Sequence, residues 1–223
     1  MLELETLEIN NRADVTASII WLHGLGADGY DFAPVAEMLE LTEVRFILPH
    51  APQRPVTING GFVMPAWYDL YGLEIGSRQD EEGIRQAQGM IEALITQERQ
   101  RGIAFNRILL AGFSQGGAIA LHTALRYPER LAGVLALSTY LPLKTTLAQE
   151  ASAANHNLPI FMAHGTFDTV ISLDVSRGSA DLMIKHGYPL SWHEYPMAHA
   201  VCEAEIADIR VFLCRLLNLK QAA

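Results

Sequence analysis

Residues 107–124 read Arg-Ile-Leu-Leu-Ala-Gly-Phe-Ser-Gln-Gly-Gly-Ala-Ile-Ala-Leu-His-Thr-Ala. An apolar run, Ile108–Ala111, predicts a strand, and the small residues from about Gly117 to Tyr127 predict a helix. Between them stands Gly112-Phe113-Ser114-Gln115-Gly116, a G-x-S-x-G in a strand, sharp turn, helix setting. Ser114 is expected at the tip of that turn with its hydroxyl held out from the sheet. The flanking glycines are needed because the turn presses both positions against backbone, where any Cβ would clash. The helix start also aims free N–H groups at the site, ready for negative charge. Ser114 is therefore the candidate nucleophile.

A serine alone is inert, so its partners must lie elsewhere. Leu158–Ala163 predicts a strand that runs into His164-Gly165-Thr166-Phe167-Asp168. Leu190–Tyr195 predicts another, running into Pro196-Met197-Ala198-His199. Asp168 and His199 thus fall just past the carboxyl ends of strands, where open parallel sheets place their sites. The order Ser114, Asp168, His199 is that of α/β-hydrolases. In these roles His199 takes the Ser114 proton, and Asp168 fixes the imidazole tautomer and stabilises the imidazolium. Asp168 also reads as an ordinary turn acid. His23, His50 and His164 sit at strand ends too. His164, directly before a glycine, reads better as a packed residue and His23 as support for a glycine loop. His199 follows the last strand, where the base belongs in this order.

The glycine loop follows a further predicted strand, 17–22. It reads His23-Gly24-Leu25-Gly26-Ala27-Asp28-Gly29, and Gly24, Gly26 and Gly29 spell the dinucleotide fingerprint. That fingerprint requires an acid at the end of the next strand to hold the ribose. The next strand, 44–48, ends in Pro49-His50-Ala51-Pro52 with no acid, so nicotinamide binding is not expected. No G-K-[ST] follows, which excludes a P-loop. The same loop suits an oxyanion hole, with Leu25 N–H as one donor and Gln115 N–H, directly after the nucleophile, as the other. Loss of one such donor typically costs about 2.7–4 kcal/mol of transition-state stabilisation.

The chain has 223 residues, half of them hydrophobic, and a formal net charge of −9. This size suits one α/β domain over 1–223, with a mostly parallel sheet flanked by helices. The acidic balance argues against nucleic acid and against attraction to anionic lipid. The start, Met1-Leu2-Glu3-Leu4-Glu5, lacks the basic and apolar regions of a signal peptide, and no apolar run is long enough to span a bilayer. Cys202 and Cys214 fall on the predicted last helix about 18 Å apart along its axis, too far to bridge. Two free thiols suit the cytoplasm. No C-x-x-C is present and His193-Glu194 lacks the second histidine of H-E-x-x-H, so no metal is expected. The expected partner is a small-molecule ester, with a homodimer left open.

The coarse element order is strands at about 3–9, 17–22, 44–48, 107–111, 132–138, 159–163 and 190–195. Helices are expected at 31–40, 80–100, 117–127, 144–154, 174–186 and 203–217. Runs such as Val134-Leu135-Ala136-Leu137 do not alternate, as strands buried on both faces do not. Residues 49–78 carry many prolines and glycines together with Trp67, Tyr68 and Tyr71. So long an irregular stretch is usually functional, and it is expected to pass over the strand ends as one wall of the acyl site. Trp67, Phe113 and Val170 are the candidate substrate-binding side chains. Only about twenty residues separate the strand ending near Leu137 from that starting near Pro159, too few for a large cap. An open, shallow site is expected.

Several stretches carry a resemblance to a known family. They are His23-Gly24-Leu25-Gly26, Pro49-His50-Ala51-Pro52, Asn59-Gly60-Gly61, Met64-Pro65-Ala66-Trp67-Tyr68-Asp69, Gly112–Ala118, and His164-Gly165 with Asp168. In register over most of the chain, they resemble the small carboxylesterases of the acyl-protein thioesterase/phospholipase-carboxylesterase family, bacterial members above all, within the α/β-hydrolase fold. The resemblance implies a cofactor-free serine esterase acting on short-chain carboxylic esters through an acyl-enzyme. Its alternatives are a thioesterase or lysophospholipase on the same residues, and a binding protein that kept the fold and lost catalysis. Two departures concern loop shape. Relatives commonly have glycine where Ala198 stands, and often Asp-Pro-x-Val-Pro where this chain has Asp168-Thr169-Val170-Ile171-Ser172.

Overall fold

A computed structural model describes residues 4–72 and 76–219. In chain order its strands and α-helices are β1 (Thr6–Ile9), β2 (Ala17–Leu22), α1 (Ala33–Met38), β3 (Val44–Pro49), β4 (Gln53–Val56), β5 (Phe62–Pro65), α2 (Glu81–Gln100) and β6 (Ile108–Phe113). They continue with α3 (Gln115–Arg126), β7 (Gly133–Leu137), α4 (Leu147–Glu150), β8 (Ile160–Gly165), α5 (Leu173–Lys185), β9 (Leu190–Tyr195) and α6 (Glu203–Leu216). Seven strands form one sheet in the order β1-β3-β2-β6-β7-β8-β9. All pairs are parallel except β1 with β3. Glu3, expected in the first strand, and residues 73–75, within the 49–78 stretch, lie outside the described residues.

The unbroken apolar runs follow from burial on both faces. Along β2, Ile20 and Leu22 join an apolar layer with Ile84 and Ile91 of α2 and Ile119 of α3. Ile19 and Trp21 of the same strand face the opposite layer, with Ala36 of α1 and Ile209 and Leu213 of α6. Every position of β2, β3, β7 and β8 is buried, as a sheet covered by helices on both sides requires. Parallel pairing puts the carboxyl ends of β2, β6, β8 and β9 on one edge, and that edge carries the loops of interest.

Two elements differ from expectation. The helix expected over 144–154 is a single turn, α4, between 3-10 turns at Lys144–Thr146 and Ala153–Asn155. The chain leaves the helix because Ser152 N–H donates to Leu125 O at 2.9 Å and the buried Asn155 amide donates to Tyr127 O and Glu129 O. Those tertiary bonds override local helix preference. Residues 49–78 also contain structure: β4 and β5 pair antiparallel across Gly60 and Gly61, both at positive φ. Pro55 and Pro65 hide this hairpin, since proline is tolerated only where no ladder donor is needed.

Glu205, in the first turn of α6, is fully buried, and neither carboxylate oxygen has a hydrogen-bond partner among the described residues. Burial pushes its carboxyl up to about 8. The folded protein thus holds a proton that the unfolded chain loses at lower pH. This group's contribution to stability is complete below the ordinary carboxylate range and is lost as pH rises to about 8. Glu205→Gln is expected to flatten that decline, with the denaturation midpoint of the variant overtaking wild type toward pH 8. Parallel slopes from pH 5 to 8 would contradict it.

Candidate active site

Ser114 joins β6 to α3 at φ 53° and ψ −120°, a conformation that costs a non-glycine residue about 1–3 kcal/mol. The surroundings hold it there. Ser114 N–H donates to Leu137 O at 2.9 Å, and Thr139 Oγ1 donates to Ser114 O at 2.6 Å. A Cβ on Gly112 would lie 2.5 Å from Gly117 N, and one on Gly116 would lie 2.5 Å from His23 O. The two glycines therefore let α3 dock against the end of β2, which brings the glycine loop beside the serine.

In that loop Gly24 packs against Phe113 and Ser114, and Gly26, at φ 78°, donates its N–H to Pro65 O at 2.9 Å. His23 is a support. Its Nδ1–H donates to Gly24 O at 2.7 Å, and its Nε2 accepts Ala51 N–H at 3.0 Å. Burial lowers its pKa, in keeping with a neutral ring. Asp28 caps the following turn by accepting Tyr30 N–H at 2.8 Å. Among the described residues, the backbone N–H groups of Leu25 and Gln115 make no hydrogen bond within the protein. The Gln115 side chain is engaged at both ends, accepting from Trp67 N–H at 2.9 Å and donating to Tyr68 O at 2.8 Å.

Asp168 follows β8 and His199 follows β9. His199 Nδ1–H donates to Asp168 Oδ2 at 2.7 Å, while Asp168 Oδ1 accepts Val170 N–H at 2.8 Å and Ile171 N–H at 2.9 Å. The Asp168 side chain is wholly buried and that of His199 is 17% exposed. The His199 ring also stacks obliquely on Phe113, with centroids 4.7 Å apart. His164 is packed beneath. Its Nε2–H donates to Ile171 O at 2.8 Å and lies 3.4 Å from Asp168 Oδ2, and burial lowers its pKa. Ala198 is not among the residues at positive φ, so alanine fits this position without strain. Cys202 stands at the N-cap of α6.

A cavity of about 520 Å³ lies over these residues and is lined by Ser114, Gln115 and His199 together with Leu25, Phe113 and Val170. Ile58, Asn59, Tyr68 and Leu70 bring the 49–78 segment into its wall. Among the described residues, no hydrogen bond joins Ser114 Oγ to the His199 ring, although both face this space. One expectation is corrected: Trp67 does not line the cavity. It is fully buried, and its indole N–H donates to His23 O at 2.9 Å, so it props the glycine loop from behind. Tyr140, three residues beyond β7, lines the cavity and was missed. Its position at a strand's carboxyl end was the available signal.

The model of the phospholipase/carboxylesterase family matches residues 5–217. The acyl-protein thioesterase 1 of Cryptococcus neoformans is 39% identical over 234 residues, covering 96% of this chain and 98% of the relative. That of Yarrowia lipolytica is 39% identical over 211 residues, covering 91% and 93%. The crystal structure of Zea mays acyl-protein thioesterase 2 superposes with a TM-score of 0.87 at 28% identity, covering 96% of this chain and 99% of that one. These relatives are fungal and plant proteins, and they lend no support to the bacterial subgroup expected from the motifs. The chain belongs to the phospholipase/carboxylesterase family and is a hydrolase of carboxylic esters or thioesters.

Proposed function

We propose that Ser114, His199 and Asp168 form a catalytic triad that cleaves acyl thioesters and esters, with the thioester of an acylated protein as the favoured substrate. The observation that carries this is the sharing of one cavity by a serine on a strained strand-to-helix turn and a histidine bonded through Nδ1 to a buried aspartate. Ser114 Oγ attacks the acyl carbonyl and His199 Nε2 takes its proton. The developing oxyanion sits between the N–H groups of Leu25 and Gln115, which have no competing partner among the described residues. His199 then returns the proton to the departing thiolate or alkoxide, leaving an acyl-Ser114 ester. Water, deprotonated by His199, attacks that ester, and His199 returns the proton to Ser114 Oγ as the acyl bond breaks and the carboxylic acid leaves. Asp168, held by two backbone N–H groups, keeps the imidazole in the tautomer that presents Nε2 as acceptor.

The names of the fungal and plant relatives favour the thioester. The open cavity, with no large cap above it, suits an acyl group carried on a macromolecule. We place the protein, read as one domain over 1–223, in the cytoplasm. Among the described residues no helix is long and apolar enough to cross a membrane. The test compares an S-octanoyl-cysteine peptide, p-nitrophenyl butyrate and a lysophospholipid at equal enzyme. The expected result is release of the peptide thiol at a kcat/KM at or above that of the other two. Turnover confined to the butyrate would favour a short-chain carboxylesterase, and dominant lysophospholipid cleavage a lysophospholipase.

A further inference from the structure

Behind the catalytic cavity lies a second one of about 380 Å³. Among the described residues, Tyr68, Leu70 and Tyr140 are common to both linings. The two tyrosine hydroxyls are 2.8 Å apart and hydrogen-bonded to each other. Both rings stand on fixed backbone. Tyr68 O accepts from the side chain of Gln115, the residue after the nucleophile. Tyr140 lies between Thr139, bonded to Ser114 O, and Leu141, whose N–H donates to Ser179 Oγ at 3.0 Å. Burial raises the pKa of both phenols, most strongly for Tyr68, so both hydroxyls keep their protons.

We propose that the hydrogen-bonded hydroxyls of Tyr68 and Tyr140 form the end wall of the acyl cavity and set the longest acyl chain the enzyme accepts. The proposal rests on the reading of this cavity as the acyl site. Ser114, Leu25, Phe113 and both tyrosines line one cavity, so an acyl chain growing from Ser114 reaches the pair within it. To pass, its methylenes must separate the buried hydroxyls and leave both unpaired, which apolar contact does not compensate. Beyond the wall, Leu141, Leu143 and Val175 offer apolar surface in a second cavity whose lining also holds Asp69, Arg78, Lys144 and Asp174. The wall is therefore a length filter and not the limit of available space.

The experiment measures kcat/KM for dodecanoyl and butyryl p-nitrophenyl esters, below the solubility limit, in wild type, Tyr140→Phe and Tyr140→Ala. The wild-type ratio of dodecanoyl to butyryl is expected to be low. Tyr140→Ala, which opens the wall, should raise that ratio about tenfold or more, because several methylenes gain a buried place. Tyr140→Phe keeps the ring and removes the hydrogen bond, and it should raise the ratio about threefold. An unchanged ratio in both variants, with Ser114 still reactive toward a fluorophosphonate, would overturn the proposal. So would a rise confined to Tyr140→Ala, because the hydroxyl pair would then have no role. Ser114→Ala is assayed alongside. If it retains turnover, the acyl-site reading itself fails; if it is inactive and the ratios do not move, only the end wall fails.

Discussion

Replacing Ser114 by alanine is expected to lower ester and thioester turnover by about 10⁵- to 10⁶-fold while leaving the fold intact. Such a loss corresponds to about 7–8 kcal/mol of transition-state stabilisation, which follows from removing the only atom that forms the acyl-enzyme bond. Residual catalysis over water should persist, because the Leu25 and Gln115 N–H donors and the cavity remain. Stability should change by less than about 0.5 kcal/mol. Ser114 Oγ makes no hydrogen bond within the protein among the described residues, and the bonds that hold the turn run to its backbone N–H and carbonyl. Equal denaturation midpoints with turnover lost is the expected pair of results. A variant within tenfold of wild type would remove Ser114 from the mechanism.

Asp168→Asn should cost about 10⁴-fold in kcat, and the structure gives the reason. Oδ1 of Asp168 accepts two backbone N–H groups, from Val170 and Ile171. In asparagine only the amide oxygen can take that place. The NH₂ group must then face His199 Nδ1, where Oδ2 now accepts at 2.7 Å. The imidazole is driven to the tautomer with its proton on Nε2 and can no longer accept from Ser114. KM should change little, because Asp168 lies behind the cavity wall and does not line it. A loss of less than tenfold, with the variant folded, would show that the tautomer is set by another group.

Much of this architecture was legible because it is local. The β6 strand, the Ser114 turn and the α3 helix are contiguous, and each is written in its own residues: apolar run, flanking glycines, small residues. Asp168 and His199 were legible as chain positions because parallel strands deliver their carboxyl ends to one edge. What was not legible depends on contacts between distant segments. The single-turn α4 is set by Asn155 reaching across to Tyr127 and Glu129, which no local pattern encodes. The β4–β5 hairpin was masked by its prolines, although Asn59-Gly60-Gly61 is an ordinary turn signal. Trp67 was misplaced because an aromatic in a glycine- and proline-rich segment reads equally well as a cavity wall or a prop. Its indole bond to His23 O decides for the prop. The Tyr68–Tyr140 pair joins residues 72 positions apart and is visible only in three dimensions.

If Ser114 is a nucleophile activated by His199, a fluorophosphonate must add to it, and labelling followed by peptide mass spectrometry reads that out. One adduct per chain is predicted, on the peptide containing Ser114, forming in step with loss of turnover. Labelling should slow by orders of magnitude in His199→Ala, and no adduct should form in Ser114→Ala. An adduct on another residue, or inactivation with Ser114 unmodified, would show that Ser114 is not the nucleophile.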